Sequence, residues 1–418
     1  MANSLAALSL ILLVATIVLG FFRKLNVGLI AIPVSLFLGH AAGLKDSKIM
    51  GMFGTQLFLR LLGIMLILSV LQSNGTIEKI TRKISSLSGT MIKILPILLF
   101  ALHWVMSAVG IGGPSNLAMA AIIAVPLAYQ LKISPIKLAP AAWWGGFAGV
   151  TGLGITGIVL NTVCTENGID PRLDRYLITA TVMQLIPFVI WYVASGWLKM
   201  EPEKEVTYDK GEPMNFANWA ALGALLLMVF LTLVINIDIG LSAFTAGFLA
   251  LLIPGVAEEK KVLSGISWGT LIMIGGMGML ISVVQAAGGI DLLSNLLSGF
   301  MTKTTAPAIM SEMGSVMSLV SSTTGVVMPT LIPTAPGIAE SLGINPTELA
   351  FAITTGASQS AISPLSTGGA LVMAAYGSIF QPTEEERQKL FLQTLILAII
   401  LGLAFFAMAL LGAYHWFL

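Results

Sequence analysis

Two clusters of small polar residues carry the potential for chemistry in this sequence, and each interrupts an apolar stretch. One is Gly110-Ile111-Gly112-Gly113-Pro114-Ser115-Asn116, within 91–129; the other is Ser321-Ser322-Thr323-Thr324-Gly325, within 306–340. Each arm beside a cluster is too short to cross a bilayer, so both stretches read as re-entrant helical hairpins with their tips at mid-membrane. Where the second arm of such a hairpin starts, free N–H groups and the positive end of a helix dipole are presented together. Ser115 and Asn116 occupy that place in the first hairpin, Thr323 and Thr324 in the second. Groups of this kind can hold a carboxylate without any basic residue.

A second pair of interruptions follows the hairpins. The stretch 344–368, INPTELAFAITTGASQSAISPLSTG, begins as an apolar helix and then crowds Gly356, Ser358, Gln359, Ser360, Ser363, Pro364, Ser366, Thr367 and Gly368 together. Pro364 removes a backbone donor, and broken helices at membrane depth persist only where the freed backbone is buried in protein or lines a cavity. The stretch 133–157 matches it without a gap at a shift of 211 residues. Ile133, Pro135, Leu138, Ala139, Ala141, Gly145, Thr156 and Gly157 meet Ile344, Pro346, Leu349, Ala350, Ala352, Gly356, Thr367 and Gly368. Paired interruptions in two halves point to the binding site of a secondary transporter. The carbonyls of such breaks, with Ser and Thr hydroxyls, can hold a small cation. The alternative for any single hydroxyl is a bond back to the preceding turn of its own helix.

The elements that must position these groups are membrane spans. The chain has 418 residues, 56% hydrophobic and 10% charged, with a mean hydropathy of +0.93. Soluble proteins carry roughly 25% charged residues, so this is an all-α polytopic membrane protein with the lipid bilayer as a partner. A net charge of +1 argues against nucleic acid, and one cysteine, Cys164, excludes an internal disulfide. The first apolar run lacks a basic start and a small-residue cleavage site, and reads as a retained span. Spans are expected at about 4–22, 27–43, 52–71 and 176–197, with the inner hairpin at 91–129 and a broken span at 135–164. The second half repeats this, with spans at about 218–235, 239–253, 267–285 and 390–411, the outer hairpin at 306–340 and a broken span at 346–376. Interfacial helices are expected after each third span, at 75–86 and 291–300.

The domain organisation read from this is an N-terminal repeat over 1–200, a polar cytoplasmic linker at 201–215 and a C-terminal repeat over 216–418. With both termini outside and five crossings plus one hairpin per half, fifteen Lys and Arg fall on the cytoplasmic side and five on the other, with Arg60 inside a span. That asymmetry sets the orientation. Five crossings invert the second half, giving two inverted-topology repeats in a cell membrane.

The run Ser115–Ala128, SNLAMAAIIAVPLA, resembles the Ser-Asn-Thr hairpin tip of divalent anion/sodium symporters in the ion transporter superfamily. Ser321–Gly325 stands in the place of their second tip. The Gly112–Asn116 run, with the following GGFAGVTGLGITGIV, is closer still to the malonate-carrier-like branch of dicarboxylate permeases. The resemblance implies an elevator-type carrier, usually a homodimer, that moves a small carboxylate with sodium ions. It carries over to Ser115, Asn116, Ser322 and Thr324, and to Thr323 by position. Leu117 departs from the family's first tip, which has Thr, and Thr323 from the second, which has Asn. With the helix breaks, the substrate set becomes Ser115, Asn116, Thr156, Ser322, Thr323, Thr324, Ser366 and Thr367. The sodium set becomes Ser115, Asn116, Gly149, Thr151, Gly154, Ser322, Thr324, Ser358, Ser360 and Ser363.

Other readings stay open beside this one. The chain also suits the large membrane subunit of a tripartite, binding-protein-dependent carboxylate transporter, or a proton-coupled carrier. An enzyme is excluded by the lack of an H-E-x-x-H run, paired intramembrane aspartates or a Ser–His pairing. Glu312 lies nine residues before Ser321, about 13 Å along a helix, and is a proton-relay candidate or an interfacial residue. His103 reads as packing, Arg60 as a structural pairing residue, Trp143 and Trp144 as packing or an interface belt. Met273–Met279 reads as adaptable packing where domains slide.

Overall fold

The computed structural model describes residues 2–23, 25–80, 92–110, 114–200, 212–319, 321–366, 369, 372–373, 376–377, 380 and 382–418. Its described residues form helices and turns. The first half runs α1 (Ala2–Arg23), α2 (Val27–Ala41), α3 (Asp46–Gly51), α4 (Thr55–Ser73), α5 (Leu95–Ala108), α6 (Pro114–Gln130), α7 (Ala139–Ala148), α8 (Ile155–Glu166) and α9 (Leu173–Ala194). After 201–211, which lie outside the described residues, come α10 (Phe216–Leu233), α11 (Ile239–Leu252), α12 (Glu259–Gly265), α13 (Trp268–Ala286), α14 (Gly289–Ser298) and α15 (Ala306–Ser318). A π-helical turn (Thr323–Val327), α16 (Met328–Leu331), a 3-10 turn (Ile332–Thr334), α17 (Ala335–Leu342), α18 (Pro346–Ser360) and α19 (Glu384–Leu410) complete the chain. The element order of the first half thus recurs in the second, down to the short helix before each third span. Of the interfacial helices, α14 lies where it was expected; the second half of the other, 81–86, lies outside the described residues.

Local chemistry sets the helix starts. Asn26 accepts from the Gly28 N–H ahead of α2, Asp238 from Gly240 and Leu241 ahead of α11, and Asn345 from Thr347 ahead of α18. Capping boxes open α10 (Asn215 with Asn218) and α19 (Thr383 with Glu386). Each bond satisfies an N–H that the first turn leaves without a partner.

Among the described residues, five helical segments are long and apolar enough to cross a membrane: Asp46–Ser73, Leu173–Ala194, Phe216–Leu233, Trp268–Ala286 and Glu384–Leu410, with shorter apolar helices beside them. Their outward faces carry large exposed apolar side chains, such as Ile190, Leu226, Ile400 and Leu403. Water would reject a surface of that kind, and a bilayer accepts it.

The halves interleave. Helix α2 packs on α13 and α4 on α11, so spans one to three of both halves form one assembly. In a bilayer such contacts gain from close van der Waals approach between small residues. A Cβ on Gly28 or Gly276 would run into the facing backbone, as would one on Gly63 or Gly240. Polar ties reinforce the seam: Asn26 Nδ2 donates to the Gly269 carbonyl at 2.6 Å, and Ser69 Oγ to the Val262 carbonyl at 2.6 Å. Around this assembly stand two further bodies, α5 with α7 and α9, and α15 with α18 and α19.

Candidate functional site

Both expected broken spans are broken. Helix α7 stops at Ala148 and α8 starts at Ile155, while α18 stops at Ser360 and turns occupy 361–366. The first hairpin is likewise two helices, α5 and α6, with Gly110 at φ +117 where only glycine sits without strain. The Gly112–Gly113 tip residues and the Ser115 side chain lie outside the described residues, as do Thr367 and Gly368.

The first hairpin is seated tightly on the first break. Gly145 and Gly149 let α7 approach α5 so closely that a Cβ on either would strike the carbonyl of Phe100 or Trp104. Thr151 Oγ1 donates to the Ala108 carbonyl at 2.6 Å and accepts from the Leu153 N–H at 3.2 Å, tying the break to the end of α5. Trp104 Nε1 donates to Thr181 Oγ1 at 3.0 Å, which donates to the Ala148 carbonyl at 3.2 Å. At Gly154 the backbone is extended and caps α8, whose first turn holds the buried Thr156.

Asn116 has an unexpected partner. Its Oδ1 accepts from His103 Nδ1–H, and its Nδ2 donates to the His103 carbonyl at 3.1 Å. Both residues are buried. The amide oxygen can only accept, so the imidazole carries its proton on Nδ1 and offers Nε2 as an acceptor. That Nε2 has no partner among the described residues. His103 is therefore part of the tip architecture. Its sequence signal was a lone histidine in an apolar arm, thirteen residues from Asn116, with no pattern linking the two.

The second tip is built from hydroxyls. Ser322 Oγ accepts from the Gly325 N–H at 3.1 Å, and the Ser322 carbonyl accepts from both Val326 and Val327 N–H, which opens the wide turn. Such π turns are frequent at functional sites. Thr323 Oγ1 shares a 2.7 Å bond with Ser318 Oγ and donates to the Ala357 carbonyl at 3.1 Å, pinning the tip to α18. Thr324 is buried beside it. At the break, Ser363 Oγ accepts from the Leu365 N–H at 3.3 Å, and Ser366 Oγ donates to the carbonyls of Ala361 and Ser363. Ser360 Oγ pairs with Ser315 Oγ at 2.6 Å. Ser358 instead bonds back to the Thr354 carbonyl at 2.7 Å, the local helical habit of a serine.

The two halves meet here. Helix α8, from the first broken span, packs on the 323–327 turn and on α16. Reciprocally, Tyr129 at the end of α6 meets Phe380 edge-on, 5.0 Å between ring centres. A cavity of 860 Å³ separates the second tip from the central assembly. Ser321, Ser322, Pro364 and Ser366 face it from one side, and Gly20, Asn26, Thr270 and Met273 from the other. No Lys, Arg, Asp or Glu lines it among the described residues. Met273 also presses on Gly325, consistent with adaptable packing at this seam.

The other singled-out residues find structural places. Arg60 donates from Nε to Asp238 Oδ2 at 2.7 Å and from Nη1 to Thr162 Oγ1 at 2.9 Å, joining α4, α11 and α8. Trp143 and Trp144 are buried, the latter edge-on to Phe188 and Trp191, which makes them packing residues and not an interface belt. Among the described residues no group of His, Cys, Asp and Glu could hold a transition metal.

A helical fold with two helical hairpins, two broken helices and a cavity between the second tip and the central assembly is the architecture expected of a membrane transporter. Comparison with known proteins agrees. Residues 1–150 match the family described as the dicarboxylate carrier protein MatC N-terminus, which bears out the resemblance to malonate-carrier-like permeases over that part of the chain. The fold is similar to the crystal structure of the Alcanivorax borkumensis YdaH transporter, with a TM-score of 0.57, 15% identity, and coverage of 87% of this chain and 86% of that one. No curated protein sequence matches the chain.

Proposed function

We propose that the protein is a sodium-coupled secondary transporter for a small dicarboxylate, working by an elevator mechanism. The carrying observation is the 860 Å³ cavity bounded at once by a hairpin tip, a helix break and the interleaved central assembly. With no basic side chain on the described wall, an anion there is held by N–H groups, hydroxyls and a helix end. The family matched by residues 1–150 is named for dicarboxylate carriage, which supports that substrate class.

In this reading, residues 1–200 and 216–418 are inverted repeats joined by the 201–215 cytoplasmic linker, with both termini outside. The interleaved assembly of α1, α2, α4, α10, α11 and α13 is the scaffold, through which two copies pair. The hairpins and broken spans move together. Sodium binds first, near the carbonyls of the breaks and the hydroxyls of Thr151, Ser322, Thr324, Ser360 and Ser363, and its charge completes the anion site. Ser115, Asn116, Thr156, Thr323, Ser366 and Thr367 then bound the substrate.

The test is uptake by the purified protein alone in proteoliposomes, screened over malonate, succinate, citrate, lactate and sulfate. Uptake of a dicarboxylate that stops when choline replaces sodium is expected, as is its loss in Thr324→Ala. Sodium-independent uptake refutes the coupling; no uptake until a binding protein and a second membrane subunit are added refutes the autonomous carrier.

A further inference from the structure

The second hairpin carries a carboxyl that neither the anion site nor the sodium site uses. Glu312 lies on α15, and its Oε2 is buried with no hydrogen-bond partner among the described residues. Its immediate neighbours are Ile309, Met313, Val316, Met317 and Phe406, which border an open apolar groove of 380 Å³. An ionised carboxylate in such a place, unpaired, is strongly disfavoured; as the neutral acid it is tolerated.

The groups around it do not supply a counter-charge. On α19 the facing residues are apolar around Gly402, and its charged residues, Glu384 to Lys389, lie thirteen or more residues earlier. On α18 the one ionisable residue, Glu348, sits in the first turn against His415. The 323–327 turn and α16 have none, and the 367–381 stretch has only Tyr376. Tyr414 presents only a hydroxyl, bonded to Ser311 at 3.2 Å, one residue before Glu312.

Glu312 nevertheless lies beside a hydroxyl that reaches the helix break. Glu312 and Ser315 lie three residues apart on one face of α15. Glu312 Oε2 and Ser315 Oγ both fall within 3.5 Å of the position a Cβ on Gly402 would take, so the two side chains converge on one point of α19. From Ser315 a 2.6 Å bond reaches Ser360 Oγ, the last residue of α18 before the break.

From this we infer that Glu312 is a proton-binding site that loads the second hairpin for movement. The carboxylate takes a proton from hydronium, which leaves water, and forms the O–H of the carboxylic acid; the reverse step returns the proton to water. Without that proton the hairpin carries an unpaired charge against apolar surroundings and does not move. The uptake consequence rests on the transport reading; the protonation itself does not.

Two measurements on the full-length protein test it. In sodium-loaded assays, wild-type uptake falls by about tenfold as the pH rises from about 5 to about 8, while Glu312→Gln, a fixed mimic of the neutral acid, varies by less than about twofold. Sodium dependence persists in the variant. Glu312→Asp, which still titrates, keeps a pH-dependent profile. Independently, the infrared C=O band of a protonated carboxyl in the wild type at neutral pH is absent in Glu312→Gln. A Glu312→Gln profile parallel to the wild type, or an unchanged carboxyl band, overturns the inference. If no carboxylate is taken up at all, the transport reading fails and the infrared result alone decides the proton site.

Discussion

The pairing of Asn116 with His103 makes a quantitative prediction. Asn116→Ala removes two hydrogen bonds and strands the buried His103 Nδ1–H. The His103 carbonyl remains available to its own helix, so one donor is left without a partner. An unsatisfied buried group costs about 1–3 kcal/mol, and the lost second bond adds about 1 kcal/mol. The variant is therefore destabilised by roughly 2–4 kcal/mol. His103→Ala strands Asn116 Oδ1 in turn and leaves a cavity. Because each single change already breaks the same contact, the double variant loses less than the sum, by about 1–3 kcal/mol of coupling. The assay is reversible unfolding in mixed micelles with added SDS, followed by tryptophan fluorescence. Additivity within about 0.5 kcal/mol, the behaviour of independent sites, would refute the pairing. Uptake adds a second readout: Asn116→Ala is expected to abolish transport, because the tip loses the contact that fixes its second arm to its first.

Two further outcomes follow from the packing. Gly145→Ala pushes a methyl group into the Phe100 carbonyl and lowers stability by roughly 1–3 kcal/mol or more, whereas Gly51→Ala, with open space around it, is nearly neutral; equal thermal midpoints for the two variants would contradict the close α5–α7 approach. Asp238, in the loop before α11, has its carboxyl held below the ordinary carboxylate range. Burial, the largest single influence, raises it, and the Arg60 hydrogen bond and charge, with the Gly240 and Leu241 N–H groups, outweigh that. A lowered folded-state value means that the Arg60 pair stabilises at pH above the ordinary carboxylate range and that this contribution disappears as the pH falls through the lowered value. Asp238→Asn should lack that component of the acid-induced fall in thermal midpoint, and an identical acid profile would show that the pair contributes nothing.

Much of the architecture was legible because a bilayer makes local rules strict. Backbone groups have no water to fall back on, so apolar length and a Pro or Gly-Ser interruption specify where helices run and break. The breaks at 149–154 and 361–366, the hairpins and the repeated element order could all be read from residue types and the 211-residue shift. Direct hydroxyl roles were less legible. Ser358 bonds back into its own helix, while Ser360, two residues on, reaches Ser315 on α15; sequence presents them alike. The wide turn at 323–327 also came as more than a simple helix start, because the Ser322 carbonyl takes two N–H groups.

Residue type and spacing determined that this chain suits a membrane and carries polar groups where its apolar helices are interrupted. Tertiary structure decided which of those groups face a partner and which face space. That Asn116 is held by His103, Arg60 by Asp238 and Thr162, and that α2 and α4 embrace spans from the other half, depends on contacts between residues up to about 240 positions apart. Such pairings are fixed by how glycine-lined helices close on one another, a fit of shapes that no local pattern of residues encodes.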